Sequence, residues 1–523
     1  MTSEQINAEG CDQAPIHSLP DEILEVIFLI HASELVKDGR YDRTLATAQV
    51  CQRWRAVALD YPIIWSRIID YENHSPSWIE TLLARSGSTL IDVGRDSTVK
   101  LQYPRATPVL KSIFKRNTNL KTVNLWLQRG SLEPICRSFL RHPAPNLEFL
   151  FLMTSRTYPD CLDSNPLFAN EAPCLRRLHL QRCLIDLTSS VLSNLTELSV
   201  LDVSKAGLSI AEWLRVLKNI PALRSLALRK AISHLTEHEQ PLPVVDLPHL
   251  ALLTISTEFY LGISLIDHLN IPALCGIELW LYRPIGFTGA HHVNWDGTKL
   301  LFFLSKQLIH WPQNCYDRFL LAKVHGGGEI HFGNSKRAGQ VSYYKTESDV
   351  VEESSRHSKD PLLLLVLTLN SLDDSFGFFN QLLEMYNSTF PTTTTLDLWL
   401  DQGFVGTATT NGSFPAFHTF NSFSNVKTLI LLGRSPLYLL PLFQHSSHPL
   451  FPTLQSLHLT ETNMEDEWGV MRDAFIKFLL WRAESGIPLT EIKMLGGYMS
   501  HQTAENLSRI GDLQVVSDQM SEG

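Results

Sequence analysis

No two cysteines in this 523-residue chain are spaced C-x-x-C; the eight fall singly at 11, 51, 136, 161, 174, 183, 275 and 315. This excludes a zinc knuckle and signals no disulfide framework, so buried free thiols in a reducing compartment are expected. Long apolar runs are also missing. The longest, "ILEVIFLI" (23–30) and "LLLLVLTL" (362–369), fall well short of the ~18 residues a membrane span needs. The opening "MTSEQINAEGCDQAP" has neither a basic start nor an apolar core, so no secretory leader is expected. A cytosolic or nuclear protein without membrane contact is the expectation.

Catalytic signatures are missing in the same way. "HGGGE" (325–329) has the look of an esterase oxyanion loop, but no G-x-S-x-G elbow accompanies it. His234 and His238 stand four apart without the H-E-x-x-H glutamate, and His291, His292, His445 and His448 have no further ligand pattern. No phosphate-cradling glycine loop occurs. Neither metal nor cofactor is expected, and no covalent chemistry. The formal charge of −10, from 44 basic and 54 acidic residues, argues against a nucleic-acid coat. One region departs from it. Between Ser97 and Leu132 there is no acidic residue, but there are Lys100, Arg105, Lys111, Lys115, Arg116, Lys121 and Arg129. A solvated face is the plain reading, and a patch for an acidic or phosphorylated partner is the functional one.

What is present begins at "SLPDEILEVIFLIH". Ser18 is the expected N-cap, Pro20 fits the first turn, and Asp21 and Glu22 suit the positive end of the dipole. The helix is apolar on more than one side, and such a helix must be covered on more than one side. A second helical pattern, "LATAQVCQRWRAVALDYPIIW", is expected to stop at Pro62. Fifty residues are too few to enclose both faces of the first helix. Either the rest of the chain covers it or another protein does.

These residues resemble an F-box, of the kind found in fungal proteins with a long C-terminal receptor region. The match runs over Leu19, Pro20, Glu22, Ile23, Leu24, Ile27 and Phe28, then Val50, Cys51, Trp54, Arg55, Ala58 and Trp65. A charged spacer around Lys37–Thr44 is longer than in a compact F-box. The resemblance implies docking on the Skp adaptor, and through it on a cullin scaffold, in an SCF-type E3 ubiquitin ligase. It implies adaptor contacts by Leu19, Pro20, Ile23, Leu24, Ile27, Phe28, Val50, Cys51 and Trp54. Two other readings stay open: an interaction scaffold without ubiquitin transfer, and a repeat protein whose first helices merely cap its array.

Behind these helices an apolar triplet recurs: Leu120-Val123-Leu125, Leu147-Leu150-Leu152, Leu175-Leu178-Leu180, Leu198-Leu201-Val203, Leu223-Leu226-Leu228, Leu250-Leu253-Ile255 and Leu274-Ile277-Leu279. The first residues are 27, 28, 23, 25, 27 and 24 apart. Further copies stand at Leu396-Leu398, Val426-Leu429-Leu431, Leu454-Leu457-Leu459 and Leu489-Ile492-Met494. Each reads as a short strand with alternate residues inward. Helical patterns such as "SIAEWLRVLKNIP" lie between them, so the region resembles an irregular leucine-rich repeat array. Cys183 holds the tight-turn position that Asn or Cys often takes in such repeats; Ala206, Ala231 and Thr462 stand there elsewhere.

The expected fold is α/β: a small all-helical F-box followed by an irregular solenoid of short parallel strands and return helices. Its boundaries are a disordered tail 1–15, F-box 16–70, linking helices 71–117, repeats 118–332, a disordered polar insertion 333–361, repeats 362–515 and a tail 516–523. Repeats are unclear from 284 to 361. A protein substrate is expected on the outward strand positions. There "NLWLQRG", "ELWLYRP" and "DLWLDQG" present Trp126, Trp280 and Trp399, with Phe151, Arg177 and His179 beside them. The alternative is that loops of this chain cover those tryptophans.

Overall fold

The computed structural model describes residues 19–33, 40–94, 98–101, 106–127, 133–154, 160–161, 166–203, 207–233, 242–282, 297–308, 318–324, 329–333, 363–368, 381, 384–385, 392–400, 420, 423–444, 449–465, 469–510, 513–518 and 520–521. The chain divides into two compact units, Met1–Leu208 with Arg215–Leu223, and Ser209–Leu214 with Arg224–Gly523. The N-terminal tail, Ser18 and nearly all of the polar insertion lie outside the described residues, as do Arg105, Arg129, His234 and His238.

The first unit opens with short helices: α1 (Asp21–Ser33), α2 (Arg40–Thr47), α3 (Gln52–Asp60), α4 (Pro62–Arg67) and α5 (Pro76–Arg85). Cys51 Sγ accepts from the Trp54 N–H to start α3, and Ser75 Oγ from the Trp78 N–H to start α5. Pro62, expected only as a stop, instead opens α4, because a first-turn residue needs no N–H. Leu24, Phe28 and Ala32 of α1 pack with Trp54, Val57, Ala58, Ile64 and Trp65. The Phe28 and Trp54 rings meet edge to face at 5.5 Å. Trp65 is fully buried and donates Nε1–H to the Ala58 carbonyl at 2.9 Å, with the Arg85 guanidinium over its ring at 4.7 Å. Arg53 Nη2 ties α3 to Asp21 Oδ1 at 2.6 Å and also donates to the Leu19 carbonyl.

Strand pairing begins earlier than the triplets indicate. β1 (Ile91–Val93) and β2 (Val99–Leu101) both pair in parallel with β3 (Leu120–Leu127), inside the stretch expected to hold only linking helices. At three residues each they are too short to carry a period. β4 (Phe149–Thr154), β5 (Arg177–Gln181) and β6 (Glu197–Leu201) follow in parallel, and Val123, Leu150, Leu178 and Leu198 lie in one inward line. This register corrects the fourth triplet. Leu198 aligns with Leu178, so the copy is Leu195-Leu198-Val200, three residues earlier than the spacing alone assigns. "LTELSVLDV" satisfies the apolar pattern in both frames, and pairing chooses between them. Helices α6 (Ala106–Phe114) and α7 (Glu133–Arg141) return the chain before β3 and β4. Before β5 and β6 the return shrinks to 3₁₀ turns at Leu167–Asn170 and Ser190–Asn194. Phe114 stacks on Phe139 at 4.1 Å, and Phe139 meets Phe168 at 5.5 Å, joining successive returns.

The second unit takes in the start of α8 (Ile210–Lys218), which opens with a reciprocal cap: Ser209 N–H donates to Glu212 Oε2 at 2.8 Å, and the Glu212 N–H to Ser209 Oγ at 3.3 Å. The strands are β7 (Ser225–Arg229), β8 (Leu252–Glu258), β9 (Gly276–Tyr282), β10 (Arg318–Val324), β11 (Glu329–Gly333), β12 (Leu363–Thr368), β13 (Thr395–Leu400), β14 (Thr428–Leu432), β15 (Ser456–Thr460), β16 (Glu491–Leu495) and β17 (Gln514–Ser517). They pair in the order β7–β8–β9–β12–β11–β10–β13–β14–β15–β16–β17. All pairs are parallel except those of β11, which runs antiparallel to β10 and β12. The stretch without clear repeats thus contributes a hairpin to the sheet. Neither strand carries L-x-x-L-x-L, and β11 runs against both of its neighbours. The expected tail is structured as well: Val516 and Ser517 complete β17, and Met520–Ser521 pairs with Met499–Ser500.

The repeat itself is visible in its turns. The residue after β1, β5, β6, β7, β14, β15 and β16 is Gly94, Arg182, Asp202, Lys230, Gly433, Glu461 and Gly496 respectively, each with φ between 47° and 71°. Its N–H reaches across to the end of the next strand: Arg182 to the Leu201 carbonyl (2.8 Å), Lys230 to Ser256 (2.7 Å), Gly433 to Thr460 (2.8 Å) and Glu461 to Leu495 (2.9 Å). One position later, Cys183 Sγ donates to the Leu152 carbonyl at 3.3 Å and Thr462 Oγ1 to the Gly433 carbonyl at 3.1 Å. Cys183 is fully buried, a structural thiol bridging adjacent repeats.

Candidate interaction surfaces

Helix α1 presents two apolar faces with different fates. Leu24, Phe28 and Ala32, four apart, are buried in the helical core. Ile23, Val26 and Ile30, at i, i+3 and i+7, are 46%, 52% and 54% exposed, and Val50 is 58% exposed. Of the nine residues assigned to adaptor contact, Leu24, Phe28 and Trp54 are therefore buried within this chain, holding its helices together. Pro20, Ile23 and Val50 are exposed; Leu19, Ile27 and Cys51 are half-buried and pack on the core. Val26 and Ile30 were absent from that set. The i, i+3, i+7 spacing from Ile23 is the signal that identifies them. Asp21, Glu22 and Glu25 border the row, so its rim is acidic.

These helices also meet the first strand. Arg67 Nη1 bonds Asp92 Oδ2 at 3.1 Å, and Asp92 Oδ1 accepts from Thr122 Oγ1 at 3.0 Å. Tyr71 is buried in the same unit; burial, with the Asp92 charge nearby, pushes its phenol above the ordinary range.

The second surface is the outward face of β3–β5. Thr122–Phe149–Arg177, Asn124–Phe151–His179 and Trp126–Met153–Gln181 form three rows across the strands. Trp126, Phe149, Phe151, Met153 and His179 are half-buried, and Arg177 is exposed. Lys100 Nζ lies 5.2 Å from the Trp126 ring centre, and the Arg177 guanidinium 4.6 Å from that of Phe149. His179 meets Phe149 edge-on at 5.2 Å and faces Glu197 at 3.8 Å. The other cations of the acid-free stretch are largely engaged. Lys115 pairs with Glu80 at 3.4 Å, Lys121 with Glu148 at 3.8 Å, and Arg116 donates to the Gly87 carbonyl at 3.2 Å.

In the second unit Trp280 and Trp399 lie on one row, through Val366, His331 and Ala322 of the intervening strands. Both are half-buried. The outward positions around them are closed: Arg229, Thr254, Ser256, Glu278 and Asp397 are all buried, and Thr254 Oγ1 donates to Glu278 Oε2 at 3.1 Å. The expected outward tryptophans therefore sit on an open face in the first unit and on a largely buried one in the second. Leu274, expected inward, is 56% exposed; Cys275 takes the buried position, and burial pushes its thiol up to about 12. Among the described residues no cluster of His, Cys, Asp and Glu could hold a metal ion, and no helix is long and apolar enough to cross a membrane.

No protein family and no curated protein matches the chain. Among solved structures it is similar to a leucine-rich repeat protein of Leptospira interrogans, with 12% identity and a TM-score of 0.24, over 81% of this chain and 94% of that one. The chain is a mixed α/β protein of parallel strands and helices.

Proposed function

We propose that this chain is the substrate-receptor subunit of an SCF-type E3 ubiquitin ligase. Its first helices act as an F-box on the Skp adaptor, which links to a cullin scaffold, and its strands hold a protein client. The receptor does no bond-making. It raises the local concentration of a client lysine at the charged conjugating enzyme. The observation that carries this reading is the exposed row Ile23, Val26 and Ile30 on α1, whose other apolar face, Leu24, Phe28 and Ala32, is packed in the core; Val50 and Leu59 are further exposed apolar residues of these helices. Contiguous exposed apolar surface with a polar rim marks an interaction site. The F-box motif resemblance supplies the partner.

The test is co-elution of the purified chain with the Skp adaptor, beside an Ile23→Glu/Val26→Glu/Ile30→Glu variant. These positions are exposed, so the variant keeps the buried core. Co-elution lost in the variant supports the reading; no co-elution from folded wild-type protein overturns it.

A second reading, in which the helices merely cap the array, is favoured by the Arg67–Asp92 bond between α4 and β1. Deleting residues 1–70 does not separate the two readings, because it removes Arg67 under both. Under capping alone, the triple glutamate variant behaves like wild type in every binding assay.

A further inference from the structure

We propose that the open face of β3–β5 binds an extended acidic segment of a client protein: two carboxylates four residues apart, with an apolar side chain midway between them. The inference rests on the reading that the strands hold a client, and deepens it by naming the client's chemistry. It is carried by the two cations of this face. Lys100 and Arg177 each lie over an aromatic ring, and among the described residues neither has a carboxylate within ion-pair distance. The carboxylates nearby are already engaged: Asp92 with Arg67 and Thr122, Glu197 beside His179, and Asp202 with Gln181 Nε2 at 3.3 Å. Glu72 accepts from the Lys100 backbone N–H at 2.8 Å, leaving the ammonium turned onto Trp126. A face with unpaired positive charge on apolar rings is complementary to acidic groups beside an apolar group.

Register sets the spacing. The ring under Lys100 is Trp126, aligned with Met153; the ring under Arg177 is Phe149, four residues earlier on β4. At ~3.3 Å per residue along a strand and ~4.8 Å between strands, the backbone positions of the two rings that carry the cations stand roughly 14 Å apart. An extended peptide covers that distance in about four residues, and its residues i, i+2 and i+4 share one face. The two carboxylates then meet Lys100 and Arg177 while the central side chain lies on Phe151. In the second unit Arg229, Glu278 and Asp397 are buried, and Lys493 is already paired with Glu491 at 3.0 Å.

The test uses the full chain and three fluorescein-labelled nine-residue peptides, each with a central Phe. Asp, Asn or Lys stands two residues to either side. Fluorescence anisotropy is expected to show the Asp peptide binding at least tenfold more tightly than the Asn peptide, weakening with salt, and the Lys peptide not binding. Lys100→Glu and Arg177→Glu, both at exposed positions, should each reduce Asp-peptide affinity at least tenfold. Moving the two Asp residues next to the Phe should also weaken binding. Equal binding of Asp and Asn peptides, or none by any peptide, overturns the proposal. So does equal displacement by an oligonucleotide of matched charge, which would mark a general polyanion surface. Adaptor co-elution of the same variants is read in parallel. It should be unchanged, so a failure of the ligase reading and a failure of the peptide site give different patterns.

Discussion

Arg482 on α9 (Val470–Glu484) is 1% exposed, and it donates to four backbone carbonyls. Nε donates to Ile487 at 3.0 Å, Nη1 to Leu450 at 3.4 Å, and Nη2 to Phe451 and Leu454 at 3.4 and 3.3 Å. The Phe478 ring lies 5.8 Å from the guanidinium. Burial lowers its pKa to about 10, so it is still charged at neutral pH. The side chain gathers two loops that flank β15 and β16. Replacing it with Met keeps much of the apolar volume and removes all four bonds. The Phe451 carbonyl retains the Leu454 N–H at 3.1 Å, which leaves up to three carbonyls without this donor. At ~1–3 kcal/mol for each buried group left unpaired, and with long bonds at the low end, Arg482→Met should cost about 3–5 kcal/mol. Arg482→Lys, a point donor that cannot span four acceptors, should recover only part. Native-state hydrogen exchange over 450–495 reads the local opening energy directly. Protection within about 0.5 kcal/mol of wild type would refute the reasoning, because removing an uncompensated buried cation would then have offset the lost bonds.

Other outcomes follow from single contacts. A Cβ at Gly497 would lie 2.3 Å from the Thr462 carbonyl oxygen, so Gly497→Ala should destabilise the last repeats by roughly 1–3 kcal/mol or more, read by chemical denaturation. Leu178 is fully buried in its inward line, and Leu178→Ala should cost ~2–5 kcal/mol in the first unit by the same assay. Burial alone would raise the Glu465 pKa, but bonds from Ser500 Oγ (2.6 Å), Thr503 Oγ1 and the Ser500 N–H (3.1 Å) outweigh it and hold the carboxyl below its ordinary 4.5. Its contribution is therefore present above that value and lost as pH falls through the lower folded one. Hydrogen exchange in α10 (His501–Ser508) should rise on acidification in wild type and stay flat in Glu465→Gln.

The inward leucines were legible because a strand with one buried face must alternate, and Val123, Leu150, Leu178 and Leu226 are all buried. Register was not legible where apolar residues are too dense. "LTELSVLDV" fits two frames, and "ALCGIEL" buries Cys275 in place of Leu274. The β10–β11 hairpin was hidden because its partners, β12 and β13, stand about 30 residues or more further along. The turns were hidden for another reason. Glycine would announce a positive φ, but Arg182, Lys230 and Glu461 adopt it because each N–H is held by the next strand.

For the helical surface, the motif located the region but not the contact atoms. An F-box-like pattern mixes residues that build the bundle with residues that leave it, and only burial separates them. The exposed set also bounds what it can do. Fully burying an aliphatic side chain contributes ~1.5–3 kcal/mol, so Ile23, Val26, Ile30 and Val50, each already about half covered, hold roughly 4 kcal/mol in reserve. Taken alone that corresponds to a dissociation constant near ~1 mM, before the cost of association. A stable adaptor complex therefore needs an interface of standard size, ~1,600 Å², in which this row is the apolar centre and the acidic rim of Asp21, Glu22 and Glu25 meets basic groups. Charge reversal at Glu22 and Glu25 should then slow association and weaken its salt dependence, while Val26→Glu should speed dissociation. Identical effects of the two changes on both rates would mean that α1 is not the centre of the interface.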